Sequence, residues 1–152
     1  MSKWKKFRAL SPSERSVFLV ASIALPATAL ALRIIRLRHW LWLISSLKWN
    51  PFANRLLGLS HLQQAQRTAC LVSAAARNGI CRPNCLERSV VLLWLLENGN
   101  IEGVIRFGAS KNRQQLDAHA WVEYQGVVLN DDSDVQTRFG IFTHGSGLSG
   151  TD

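Results

Sequence analysis

Asn84-Cys85-Leu86-Glu87-Arg88-Ser89-Val90-Val91-Leu92-Leu93-Trp94-Leu95-Leu96, stopped by Asn98-Gly99, decides how this chain folds. Asn84 is a cap-type residue, and the run after it is apolar nearly all round. A helix of that kind lies at the centre of a core. Cys85 then falls in the first turn. There the unpaired backbone N–H groups and the positive end of the helix dipole favour a thiolate. The same N–H groups can hold an oxyanion. The competing reading makes Cys85 a small buried hydrophobe, a common fate of cysteine.

Downstream the pattern changes to strands. Gly103 to Gly108 reads as one strand, and Lys111 to Gln115 as a polar loop. Ala118-His119-Ala120-Trp121-Val122-Glu123-Tyr124 and Val127-Val128-Leu129-Asn130 read as two more, joined through Gln125-Gly126. A two-residue turn pairs Tyr124 with Val127 and sets His119 opposite Asp132. A three-residue loop puts Gly126 at its left-handed position, pairs Glu123 with Val127, and sets His119 opposite Asp131. In either register an aspartate faces the histidine. From there a carboxylate fixes the imidazole tautomer and stabilises the imidazolium. Period-two alternation places Trp121 and Glu123 on the His119 face. They either line a cleft or, for Trp121, join the core.

Metal binding is the competing chemistry. Cys81 and Cys85 are four apart, His119 follows, and Asp131, Asp132 and Asp134 cluster. Zinc sites usually add a second Cys or His pair, and Pro83 lies between these thiols. Asp132-Ser133-Asp134 lacks the calcium-loop pattern and reads as a loop and cap for Val135 to Phe139. No metal ligand is assigned. No glycine-rich phosphate motif appears, and no cofactor is assigned.

Upstream, Ser60 is a plausible cap. Leu62, Ala65, Ala69, Val72 and Ala76 recur on one helix face, which Asn78-Gly79 ends. Gln63, Gln64, Gln66 and Arg67 are assigned to its wet face. Pro51 and Asn54 mark a break. Ser11-Pro12-Ser13-Glu14 is a helix start, followed by 17 uncharged residues from Ser16 to Leu32. Packed helices broken near Pro26, a membrane contact and a signal peptide compete for this run, with packed helices preferred. Arg33, Arg36, Arg38 and Lys48 then mix with Trp40, Trp42, Trp49 and aliphatics. That is either an interfacial membrane helix or a core helix with a solvated arginine face.

The chain has 152 residues, 47% hydrophobic and 18% charged, enough for one domain with a real core. Its net charge of +8 is divided unevenly. Residues 1–82 hold 13 Lys and Arg against Glu14 alone, for +12, while residues 83–152 hold five bases against nine acids, for −4. Such a split argues against a uniformly basic nucleic-acid binder. Cys70, Cys81 and Cys85 are too few for a disulfide scaffold. A cytoplasmic location is expected, with membrane association through the N-terminal helices left open.

Asn84-Cys85-Leu86-Glu87-Arg88-Ser89, His119-Ala120-Trp121-Val122-Glu123, and Leu129-Asn130-Asp131-Asp132 with Arg138-Phe139 together resemble the transglutaminase-like cysteine protease of lasso peptide biosynthesis. The resemblance is strong from about Leu62 to Phe142. It implies an α+β, papain-like core, with a nucleophile helix on a small antiparallel sheet, preceded by N-terminal helices. The expected division is a basic, apolar helical segment over 1–58, a catalytic core over 59–143 and a flexible tail over 144–152. The resemblance implies Cys85, His119 and Asp131 as catalytic residues, and so prefers the three-residue loop. Trp121, Glu123 and Asn84 are the candidate substrate-binding residues. Cys81 carries no role in the pattern. The implied activity is removal of the leader from a precursor peptide. A separate winged-helix leader-binding protein and an ATP-dependent macrolactam synthetase are the implied partners. The first 60 residues lack the strand patterns of a leader-binding domain, which points to the split form of the family.

Overall fold

A computed structural model describes residues 7–47, 59–112 and 115–144. Three helices begin with reciprocal capping boxes. Ser11 and Glu14 start α1 (Pro12–Ile34), Ser60 and Gln63 start α3 (His61–Asn78), and Asn84 and Glu87 start α4 (Cys85–Asn98). Each box satisfies an N-terminal N–H that the helix itself leaves unpaired. Helix α2 (Leu37–Ser46) follows α1 through Ile35 and Arg36.

Helix α1 is continuous through Pro26, which corrects the expected break. Pro26 is exposed, while Leu25 and Thr28 on either side of it are buried. Packing on both sides of the proline holds one axis despite the lost hydrogen bond. Val17, Ala21 and Leu25 share a core with Ala65, Ala69 and Val72 of α3 and with Val90 to Leu96 of α4. An Arg67–Glu14 ion pair also ties α3 to α1. The end of α2 is fastened to α4, because the Trp94 indole N–H donates to the Leu47 carbonyl at 3.2 Å. In α3, Gln64 is buried rather than wet. Its amide bends back to donate to the Leu59 carbonyl at 3.0 Å, which satisfies the polar head inside the fold.

The chain then builds β1 (Val104–Asn112), β2 (Gln115–Tyr124), β3 (Val127–Val128), the single-turn α5 (Val135–Arg138) and β4 (Gly140–His144). The sheet is antiparallel and four-stranded, in the order β3-β2-β1-β4. The architecture is the expected α+β one, with the cysteine-bearing helix against a small sheet.

Three details differ from the sequence reading. Lys111, Asn112 and Gln115 belong to the β1–β2 ladder, which runs from Val104↔Glu123 to Asn112↔Gln115. Ladder bonds are made by backbone, so polar side chains do not prevent them. Gly140–His144 forms β4 on the far edge of β1, which the sequence reading did not anticipate. His144 is therefore a strand residue, while the remainder of the expected tail, 145–152, lies outside the described residues, as do Lys48, Trp49, Pro51 and Asn54. Finally, Tyr124 pairs with Val127 across a two-residue turn, not a three-residue loop. Gln125 and Gly126 both have positive φ, 49° and 79°, as a type I′ turn requires.

Alternation along β2 separates two faces. Val122 and Tyr124 join the helical core, whereas Trp121 packs with Val135 and Phe139 on the other side.

Candidate active site

Cys85 is the first residue of α4 and is half-buried. The Asn84 side chain accepts the Glu87 N–H at 2.9 Å, and Glu87 accepts the Asn84 N–H at 2.9 Å. Asn84 also donates its amide to Glu87 at 3.0 Å. This candidate substrate-binding side chain is therefore engaged in capping. The N–H groups of Cys85 and Leu86, at the first two helical positions, stay outside the intrahelical ladder.

One turn further on, Ser89 is fully buried and welds α4 to β2. Its hydroxyl donates to the Ala120 carbonyl at 3.0 Å and accepts from Asn130 Nδ2 at 2.9 Å. Asn130 Oδ1 accepts the Val122 N–H at 2.8 Å, and the Asn130 carbonyl accepts from Arg88 at 3.1 Å. These bonds fall where β3 stops. Leu129 still donates to the Val122 carbonyl at 2.9 Å, but beyond it side chains replace the partner strand. The start of α4 thus covers the open edge of β2. Cys85 and Ser89 are four residues apart and share a helix face, separated by about 6 Å of rise along the axis. Farther along the helix, Leu93 and Leu96 crowd Gly103 together with Val122. Passing toward the helix start, contacts therefore move from Val122 to Ala120, the neighbour of His119 in the middle of β2.

His119 Nε2 lies 2.5 Å from Asp131 Oδ2. An ionised carboxylate only accepts, so Nε2 carries the hydrogen, and in the neutral imidazole Nδ1 keeps its lone pair. Asp131 Oδ1 accepts from the Asp132 N–H and from Arg138, both at 2.8 Å. Burial pushes the Asp131 carboxyl up. The bonds from His119 and the Asp132 N–H, the His119 charge and Arg138 outweigh it and hold its pKa below the usual aspartate value. Asp132 is exposed.

Pairing with Asp131 occurs despite the two-residue turn. A continued ladder would have placed Asp132 across from His119. Because Asn130 spends its side chain on the Val122 N–H, the chain leaves the ladder and Asp131 reaches His119 from outside it.

The imidazole is also gripped from its faces. Its centroid lies 4.7 Å from that of Phe139 and 6.2 Å from that of Trp121, with both rings near parallel to it. Gly108 sits opposite His119 in β1. A Cβ there would come within 2.9 Å of Phe139 and 3.0 Å of Trp121, so glycine makes room for the stack.

Trp121 and Glu123 share the His119 face but do not line an open cleft. Trp121 is 0% exposed and Glu123 is 5% exposed. Glu123 accepts from the Trp121 indole at 2.7 Å, from Gln136 at 2.7 Å and from Arg106 at 3.2 Å. Burial pushes this carboxyl up as well, and its three donors with the Arg106 charge bring it below the usual glutamate value. These two residues brace the strand beneath His119. Both side chains are closed off from solvent and engaged with each other.

The three cysteines are free, and Cys81 is exposed. Among the described residues no group of His, Cys, Asp and Glu is arranged to hold a metal ion. Sequence reasoning gave no role to Ser89, Asn130, Gln136 or Gly108. Ser89 and Asn130 do stand inside the quoted motifs, and that was the available signal.

A family model described as the transglutaminase-like superfamily matches residues 25–143, a span that takes in Cys85, His119 and Asp131. Curated proteins and solved structures give no match to this chain.

Proposed function

The chain belongs to the transglutaminase-like superfamily, and from that premise we propose that it is a cysteine peptidase that removes the leader from a lasso peptide precursor. What supports the reading is the His119–Asp131 pair, on a strand to which the helix that starts at Cys85 is bonded through Ser89 and the Ala120 carbonyl. Asp131 fixes the tautomer that leaves His119 Nδ1 free to take a proton. The motifs around all three residues favour the lasso peptidase branch over other members of the superfamily.

In the proposed reaction His119 Nδ1 takes the Cys85 thiol proton as sulfur attacks the scissile carbonyl. The N–H groups of Cys85 and Leu86 hold the resulting oxyanion. The C–N bond breaks, and the amine of the core peptide leaves with the proton from His119. Water then attacks the thioester and gives its proton to His119. The C–S bond breaks, the leader departs as a free acid, and the thiolate recovers the proton. Asp131 stays ionised throughout and stabilises the imidazolium. A winged-helix leader-binding protein delivers the precursor, and a macrolactam synthetase uses the amine released.

The test combines purified protein, a lasso precursor and the leader-binding protein, read by mass spectrometry. Cleavage at the leader–core junction is expected. A covalent conjugate of leader and added amine would instead identify an acyltransferase. An intact precursor under all these conditions would reject the peptidase reading.

A further inference from the structure

Helix α1 has two apolar sides. Val17, Ala21, Leu25 and Ala31 are buried, and the first three join the shared core. On the opposite side Leu19, Ile23, Leu30 and Ile34 face water, with Ile23 72% and Ile34 77% exposed. Their spacing draws one stripe along the helix, and exposed Pro26 and Ala27 fill its middle. A helix on the outside of a soluble domain normally turns charged residues to solvent. This one has no charge between Arg15 and Arg33. Helix α2 repeats the pattern, with Leu43 exposed, Trp42 71% exposed and Leu47 exposed just beyond its end.

Charge identifies what covers this face. Arg33, Arg36 and Arg38 are all exposed where α1 turns into α2. No acidic residue occurs anywhere between Glu14 and Glu87. Aliphatics, a tryptophan and arginines with no acid among them suit an anionic interface. The stripe from Leu19 to Ile34 is about 22 Å long and carries no hydrogen-bonding side chain to match the polar rim of a protein partner.

We infer that α1 and α2 dock the protein on the surface of an anionic lipid bilayer. Leu19, Ile23, Leu30, Ile34 and Trp42 enter the headgroup boundary, and Arg33, Arg36 and Arg38 meet the lipid phosphates. The contact is peripheral. Helix α1 is long and apolar enough to cross a bilayer, but its other side shares a core with α4, and crossing would strip that core. This docking does not depend on the proposed peptidase activity.

The experiment sediments the full-length protein with vesicles of phosphatidylcholine, alone or mixed with phosphatidylglycerol. An arginine near such a surface contributes about fivefold, so three predict a preference of about a hundredfold for the anionic vesicles, falling with added salt. Ile23→Gln with Leu30→Gln should weaken binding about tenfold or more while helical circular dichroism is kept. Alkaline carbonate should release the protein. Equal or absent binding to the two vesicles overturns the inference, whatever the variants do. Retention through carbonate overturns the peripheral placement. A stoichiometric complex with a soluble acidic protein, lost in the double variant while vesicles go unbound, would assign the face to a protein partner instead.

Discussion

The two halves of this molecule differ in how their polar groups are used. In the sheet half, buried polar side chains are mostly paired, with Arg88 Nε the exception among the described residues. Ser89 and Asn130 bond each other and the β2 backbone, and Glu123 receives three donors. In the N-terminal half, Thr28 Oγ1 and Trp40 Nε1 are buried without a partner, and large aliphatics face water. Charge divides along the same line, +12 before residue 83 and −4 after it. A satisfied polar network holds a histidine and a carboxylate in one arrangement. An apolar, basic face holds nothing in itself and suits contact with something outside the chain. Most of the positive charge therefore lies away from the candidate site, where Arg138 and Arg106 are tied to Asp131 and Glu123.

The largest expected effect lies in the sheet half. Cys85→Ala and His119→Ala should each lower precursor cleavage about a thousandfold or more, with thermal midpoints near wild type. Steady-state rates and calorimetry check this together. If either variant unfolds, the pair is part of the polar scaffold and not only of the chemistry.

Next comes the choice of aspartate. Asp131→Asn should cost about a hundredfold or more in kcat, because the amide reverses which His119 tautomer is favoured. Asp132→Asn, at an exposed site outside the pair, should stay within about threefold, as surface changes usually do. Equal effects would mean that the carboxylates share the role.

Glu123→Gln should act on stability first. It removes a buried charge from three donors, and a cost of about 3 kcal/mol is expected, read from urea midpoints. The folded pKa values of Glu123 and Asp131 lie below their ordinary values. Their contribution is therefore fully present above the unfolded pKa values and is lost as pH falls through the folded ones. Glu123→Gln should flatten the acid limb of a stability-against-pH curve. An unchanged limb would mean that other groups set it. In the N-terminal half an Ile23→Gln change alone should alter stability by no more than about 0.5 kcal/mol, because that side chain is already in water.

The smallest effect tests the hairpin. Gln125→Asn should stabilise by a few tenths of a kcal/mol, since Asn-Gly is the preferred pair for a type I′ turn. A loss of stability would argue against the two-residue register.

How much of this was legible in the sequence depends on the kind of signal. Helix α4 was readable at both ends, because Asn84 caps and Asn98-Gly99 stops a run too apolar to lie anywhere but the core. The sheet face shared by His119, Trp121 and Glu123 followed from period-two alternation. Asp131 was reached through a register that does not occur. Its true route depends on Asn130 replacing a backbone partner, a tertiary substitution with no periodic trace. Strand β4 went unread because it pairs with a strand more than thirty residues earlier, and pairing at that distance is not a local property. The continuity of α1 through Pro26 was hidden for a similar reason, since the packing that holds it comes from α3 and α4.

The most direct test of the central claim is cleavage in water enriched in heavy oxygen, followed by intact mass of the leader. The account predicts one heavy oxygen in the new leader carboxylate with the native protein and no product with Cys85→Ala. Full cleavage by Cys85→Ala, or a leader that carries an added amine in place of the heavy oxygen, would contradict it.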